Sequence, residues 1–380
     1  MTTAVSHPPV PGGSPRTARP ATIDLSGADL GLPTPRHVRE AAKQALDAGA
    51  THYTTRPGLD ALRQAVAEKL QRVNGLTADP AREVLITCGT QEALFVTLHA
   101  LLQPGDQILV PQPANPAYSA IARQARAHVL RVPGDPAAGF AFEADDLLRK
   151  LTRRTRALLL ASPATPGGSV LDPAALERIA SIAIARDLLV IADESYEAFV
   201  FDGAAHHSIG AVPGMAERTI TINGFSRPYA MHGWRVGYLA GPARLIGPIM
   251  QLKQALSICS PAVSQYAALA ALTGPRTPIT DARCIVAERR AVAFAALDAA
   301  GIPHLRPAAG YMTLLDCSAI DRSASALSRR IAAQTGVKLG SGAPYGAITA
   351  NRLVLSLTQP APLIEEAIGR LRPLLVTHPA

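Results

Sequence analysis

Five short apolar runs recur through the middle of the chain: EVLIT (83–87), QILVP (107–111), ALLLA (157–161), LLVIAD (188–193) and TITIN (219–223). Each is apolar throughout rather than alternating, the pattern of strands covered on both faces, as in a parallel sheet. Helical stretches separate and precede them. Leu59 to Leu70 repeats at helical spacing, and Pro35 opens a helix running to Ala48, proline being suited to a helix's first turn. Strands alternating with helices predict a doubly wound, mostly parallel α/β sheet. From about residue 276 a long helix gives way to mixed strands and helices, the pattern of a smaller α+β domain. The expected division is a disordered tail over 1–22, an N-terminal segment of the small domain over 23–55, a large domain over 56–275 and a C-terminal small domain over 276–380.

Composition narrows the picture. Residues 1–22 are rich in Pro, Gly, Ser and Thr and contain no apolar stretch of the kind a secretory signal needs. No window approaches the roughly 18 uninterrupted apolar residues of a membrane span. Hydrophobic residues make up 48% of the chain, enough for a sizeable core. The net charge is +8, but the arginines are scattered and not interleaved with aromatics, which argues against a nucleic-acid surface. The four cysteines (Cys88, Cys259, Cys284 and Cys317) form no C-x-x-C pair, so reduced thiols and a cytoplasmic location are expected, with no metal site.

In an open α/β sheet, ligands bind beyond the carboxyl ends of the strands, so the loops there are the place to look for chemistry. After EVLIT comes Cys88-Gly89-Thr90-Gln91-Glu92, a glycine and a small hydroxyl residue entering a helix, which can present N–H groups to a phosphate. The plain alternative is a glycine turn with a threonine cap. After LLVIA, Asp193 begins Asp-Glu-Ser-Tyr; a carboxylate buried there needs a cationic or hydrogen-bonding partner, such as a protonated pyridine nitrogen. Its alternative is a helix cap. After TITIN the chain reads Gly224-Phe225-Ser226-Arg227-Pro228-Tyr229-Ala230-Met231-His232-Gly233-Trp234-Arg235-Val236-Gly237-Tyr238.

This last segment resembles the S-F-S-K…G-W-R-x-G-Y signature of class I/II aminotransferases, the fold-type-I pyridoxal-phosphate enzymes. Other segments in the same order are similar to the family's motifs: Tyr53…Gly58…Leu62-Arg63, Ser162 to Gly168, Asp193 to Tyr196, and Gly340 to Gly346. The resemblance spans the chain from about residue 23 and makes 56–275 the cofactor-binding domain. It implies that Gly89, Thr90, Ser226 and Arg235 bind the phosphate of pyridoxal 5'-phosphate or pyridoxamine 5'-phosphate. It further implies that Asp193 meets the pyridine nitrogen and Tyr196 the ring hydroxyl. Tyr53 would reach the phosphate of a neighbouring subunit, which implies a homodimer.

Four positions depart from the family pattern. Arg227 stands in the slot of the Schiff-base lysine. A lysine amine can lose its proton and attack a carbonyl carbon, whereas a guanidinium stays charged. Thr165 replaces an asparagine and Asn115 a ring-stacking aromatic; Val354 replaces the arginine that takes the substrate carboxylate. Arg352, two residues before Val354 and on the same strand face, is a candidate substitute. Lys338 is the one lysine near a motif loop. His232 is a candidate proton carrier as a neutral imidazole, or else a loop histidine with a local partner. The resemblance thus implies an enzyme acting on an amino acid or keto acid, with its cofactor held without a covalent link. The alternatives are a lysine-less homologue redirected to another reaction, and a non-catalytic binding subunit.

Overall fold

The computed structural model describes residues 22–321 and 323–376. The expectation of a disordered tail falls, except for Thr22, outside the described residues.

Strand β1 (Ile23–Leu25) and helices α1 (Arg36–Asp47) and α2 (Asp60–Lys69) lead into the large sheet, α2 continuing into a π turn over Leu70–Asn74. The large-sheet strands are β2 (Val84–Thr87), β3 (Gln107–Gln112), β4 (His128–Pro133), β5 (Thr155–Ala161), β6 (Leu189–Asp193), β7 (Thr219–Gly224) and β8 (Gly237–Ala240). Between them run α3 (Thr90–Leu101), α4 (Pro116–Gln124), α5 (Ala144–Lys150) and α6 (Pro173–Ala185). The chain continues with α7 (Ala243–Ser257), α8 (Ala262–Thr273) and the long α9 (Thr277–Ala300). It ends with β9 (Met312–Asp316), α10 (Ala324–Thr335), β10 (Val337–Ser341), β11 (Arg352–Ser356) and α11 (Ala361–Leu375).

The seven-stranded sheet has the order β2-β8-β7-β6-β5-β3-β4. Neighbours from β7 to β4 pair in parallel, while β8 runs antiparallel between β7 and β2. Successive residues of β5 go to opposite cores. Ala157 and Leu159 pack with the α3, α4 and α7 side, and Leu158 and Leu160 with the α5 and α6 side. Period-two alternation into two helix layers is why the strand sequences read as unbroken apolar runs.

One expectation needs correcting. The run 83–87 forms β2, but β2 pairs only with β8 and only antiparallel. Both of its faces are buried all the same, so the sequence pattern matches that of a parallel strand. The four-stranded sheet has the order β1-β10-β11-β9, joining the N-terminal strand to the C-terminal elements. Of the segment 23–55, β1 enters this sheet, whereas α1 packs on the large-sheet side. Its Val38 and Ala42 share a cluster with Leu62, Ile86 and Phe225.

Candidate active site

The register brings one set of strand ends together. Gly237 at the start of β8 pairs with Thr87 at the end of β2 and with Gly224 at the end of β7. On the next strands Asp193 pairs with Ala161 and Ile222. An antiparallel strand that begins where its neighbours end places the loops after β2, β5, β6 and β7 beside the loop before β8. Those loops carry the sequence motifs.

At one end is a cradle for an anion. Gly89 precedes α3 with φ +87°, a conformation open to glycine, and no side chain caps the helix. A Cβ on Gly89 would lie 2.6 Å from Arg235 Nη2, so glycine is what lets the guanidinium lie on the backbone here. Arg235 itself is left-handed (φ 53°) and its guanidinium donates to Cys88 O at 3.3 Å and His232 O at 3.1 Å. Gly237 is required for the same close approach, since its Cβ would stand 2.9 Å from the Gly89 carbonyl carbon. Thr90 and Gly224 are also in close contact, with 3.0 Å between Thr90 Cγ2 and a Cβ built on Gly224. Ser226 follows in the loop after β7, partly buried. Free N–H groups at a helix N-terminus beside a fixed guanidinium suit a phosphate. The threonine cap weighed from sequence is not formed.

The other end is lined by tyrosines around Arg227. Its guanidinium carbon lies 4.0 Å from the centre of the Tyr196 ring. Tyr196 in turn packs against Tyr311, with centroids 5.5 Å apart. Burial opposes the Arg227 charge, but Tyr196, Tyr311 and Asp193 outweigh it and hold the group above its ordinary value. Its Nε is buried without a hydrogen-bond partner. Asp193 Oδ1 accepts from the Ser195 N–H at 3.0 Å, and Oδ2 accepts from the Tyr118 hydroxyl at 2.6 Å. Burial and Asp193 push the Tyr118 hydroxyl well above its ordinary value, so it remains a donor.

Tyr118, Tyr311 and Tyr345 were not singled out from sequence. Tyr118 sits in α4, where an aromatic at helical spacing reads as core, and Tyr311 and Tyr345 come from the C-terminal third. The Gly340–Gly346 segment does reach the site's rim, for Ala114 N–H donates to Tyr345 O at 2.9 Å.

Of the departing positions, Asn115 and Val354 have structural roles. Asn115 caps α4, its Oδ1 accepting from Ala117 N–H at 3.0 Å, with Pro116 in the first turn. Thr165 lies in the loop after β5, partly buried. Val354 is buried in a small cluster with Phe140, Met312 and Leu314. Arg352 lies on the same face but is already engaged: it pairs with Asp316 at 2.9 Å and lies over Phe140 at 5.3 Å. Phe140 touches Gly167 of the Thr165 loop, which puts Arg352 beside the cleft with its charge largely answered. Tyr53 is 79% exposed, its ring unused within this chain.

The five lysines have other partners or lie exposed. Lys338 is exposed on β10 beside Asp24, 3.9 Å away. Lys253 is buried near Glu92 and Ser257, Lys69 is bound to Glu197, and Lys43 pairs with Glu40. Lys150 ends α5, exposed. His232 faces Asp29 through Nδ1 at 3.3 Å, and its Nε2 is buried and unpartnered. Burial, with Arg227 and Arg235 nearby, lowers its pKa against the opposing pull of Asp29.

The family model for aminotransferase class I and II matches residues 21–371. An aspartate aminotransferase of Pyrococcus abyssi is 34% identical over 355 residues, covering 93% of this chain and 91% of the relative. An arginine–pyruvate transaminase of Pseudomonas aeruginosa is 36% identical, over 91% and 88% of the two chains. Among solved structures, the aromatic aminotransferase of Pyrococcus horikoshii superposes with a TM-score of 0.91 at 34% identity, over 93% of this chain and 95% of that one. The fold agrees with these relatives. The chain belongs to the class I and II aminotransferases, fold-type-I enzymes that use pyridoxal 5'-phosphate or pyridoxamine 5'-phosphate.

Proposed function

We propose that the protein is an aminotransferase-family enzyme for an amino acid or keto acid that holds its pyridoxal or pyridoxamine phosphate non-covalently, because Arg227 fills the slot of the Schiff-base lysine. The observation that carries this reading is the Arg227 guanidinium fixed 4.0 Å over the Tyr196 ring, with each of the five lysines engaged or exposed elsewhere.

When bound, the cofactor supplies an electron-withdrawing ring that stabilises negative charge at the substrate α-carbon. The chain's residues supply the rest. Gly89, Thr90, Ser226 and Arg235 grip the phosphate, with Tyr53 completing the phosphate site of a partner subunit in a homodimer. Asp193, steadied by Tyr118, meets the ring nitrogen, and Tyr196 meets the ring hydroxyl, with Thr165 beside it. Arg227 cannot act as a base; it offers a fixed positive charge to a substrate carboxylate or to charge developing on oxygen. His232, kept neutral near Arg227, is the candidate to carry a proton.

Val354 and the engaged Arg352 favour a second reading, a homologue redirected to another reaction, because neither leaves a free cation at the family's carboxylate position. All four cysteines are free thiols, which supports a cytoplasmic enzyme; no helix among the described residues is long and apolar enough to cross a membrane. The test is a visible spectrum of the pure protein with and without pyridoxal phosphate, paired with equilibrium dialysis against pyridoxamine phosphate. Binding with the absorbance of the free aldehyde is expected; failure to bind either compound would overturn the proposal.

A further inference from the structure

Helix α7 packs along α3, where Leu245 and Ile249 share a core with Leu94 and Leu98. At the first turn of α3, which holds Glu92, that contact becomes polar. Glu92 Oε2 accepts from the Cys88 N–H, and Oε1 accepts from the Ser257 hydroxyl at 2.6 Å. Lys253 Nζ donates to Ser257 Oγ at 3.2 Å and lies 3.9 Å from Glu92 Oε2. The Lys253 and Glu92 side chains are 1% and 9% exposed. Desolvation offsets most of the attraction in a pair buried this deeply, so stability is a weak reason for its presence.

Its position supplies a stronger one. Cys88, between β2 and α3, is held at three points. Its N–H goes to Glu92, its Sγ lies 3.7 Å from Ser260 Oγ, and its carbonyl accepts from Arg235 at 3.3 Å. The next carbonyl, that of Gly89, accepts from Thr87 Oγ1 at 3.0 Å. With the Cys88 N–H and side chain held, ψ is the one soft backbone torsion left before the carbonyl that Arg235 takes.

A carboxylate at the third position of a helix ordinarily reaches back to the N–H of the residue just before the first turn, here Gly89. Glu92 takes the N–H one residue earlier, so it braces the residue that holds Arg235. A carboxylate is drawn to a helix N-terminus as a phosphate is, and the two anions repel each other. Lys253 answers the Glu92 charge.

We propose that Glu92 is a positioning residue for the phosphate cradle. It fixes Cys88 and, through the Cys88 carbonyl, the Arg235 guanidinium, while Lys253 neutralises it so that a phosphate meets no unanswered carboxylate. The inference rests on the reading of Gly89, Thr90 and Arg235 as the phosphate site. It makes α7, which carries none of the sequence motifs, part of the support of that site.

The test compares two double variants of the full chain, each without the buried charges. Glu92→Gln/Lys253→Met keeps an acceptor for the Cys88 N–H, and Glu92→Leu/Lys253→Met removes it. Replacing both members of a buried pair by groups of similar size is close to neutral for folding, and urea unfolding checks that both variants fold. Equilibrium dialysis measures pyridoxamine phosphate and pyridoxamine. The glutamine variant should hold pyridoxamine phosphate within about twofold of wild type and the leucine variant about tenfold more weakly, with pyridoxamine unchanged by either. Lys253→Met alone, which leaves the carboxylate unanswered, should bind pyridoxamine phosphate more weakly than the glutamine variant. In the ligand-free protein, hydrogen exchange at the Cys88 amide should be slow in wild type and the glutamine variant and fast in the leucine variant. Equal affinity of the two double variants for pyridoxamine phosphate would overturn the proposal, as would wild-type affinity in Lys253→Met. An equal loss of pyridoxamine would do the same, being the mark of a general structural effect. If wild type binds neither compound, the phosphate-site reading fails by itself. Hydrogen exchange then judges the Glu92 brace alone, and exchange unchanged in the leucine variant overturns it.

Discussion

The guanidinium carbon of Arg227 lies 4.0 Å from the centre of the Tyr196 ring, and this contact fixes where that positive charge points. A guanidinium over an aromatic face is attracted by the ring quadrupole, and burial strengthens the attraction. The aromatic shelf formed by Tyr196 and Tyr311 therefore holds a permanent cation in place. A lysine, with a compact and well-hydrated ammonium, would not be held in the same way.

Gly89 tests the phosphate cradle. Alanine there must adopt φ near +87° and brings its Cβ to 2.6 Å from Arg235 Nη2, so the guanidinium has to move. Gly89→Ala should lower stability by about 1–3 kcal/mol and weaken pyridoxamine phosphate by about tenfold. Gly27→Ala, where a Cβ meets nothing within 4 Å, should change neither. Equilibrium dialysis and urea unfolding read the two effects separately.

The Lys69–Glu197 pair tests the wall behind the sheet. Both side chains are about 10% exposed. Removing one partner leaves a buried charge unmatched, so Lys69→Met should cost about 3–5 kcal/mol at neutral pH. Burial pushes the Glu197 carboxyl up, but Lys69 and Asn74 outweigh it and hold its pKa below the ordinary value. A depressed pKa gives stabilisation that is present above the unfolded value of about 4.3 and lost as the pH falls through the folded one. The gap between wild type and Lys69→Met should therefore narrow on acidification below that value. Urea midpoints across a pH series check this; a gap independent of pH would count against the pairing.

His232 gives a second pH signature with its own window. Its folded pKa is depressed, so the unfolded chain binds the proton first. Stability from this group is present above the unfolded value of about 6.5 and declines as the pH falls toward the folded one. Proton NMR should show one imidazole titrating below the ordinary range, and His232→Gln should remove both that resonance and its share of the slope.

Much of the fold was legible because the five apolar runs are strands covered on both faces, a condition that leaves a plain mark on sequence. Two strands of the large sheet left no such mark. In β4 (HVLRVP), at the sheet edge, only Val132 is fully buried, and β8 spans four residues whose direction no local signal encodes. The glycines of the candidate phosphate end were legible for a related reason. Gly89 and Gly237 are needed for backbone contact, and side-chain types that specific can be read one residue at a time. The tyrosine shelf was not, since Tyr118 and Tyr311 reach Asp193 and Tyr196 from segments far away in sequence. The helix-cap role of Asn115 was not read, although an amide before a proline suits a helix start.

The account rests on the absence of a reactive amine beside the cofactor. Incubation with pyridoxal phosphate, reduction with borohydride and peptide mass mapping tests it most directly. Wild-type protein should acquire no stoichiometric phosphopyridoxyl group, while Arg227→Lys should acquire one at position 227. Stoichiometric labelling of Lys69, Lys253 or Lys338 in the wild type would contradict the account.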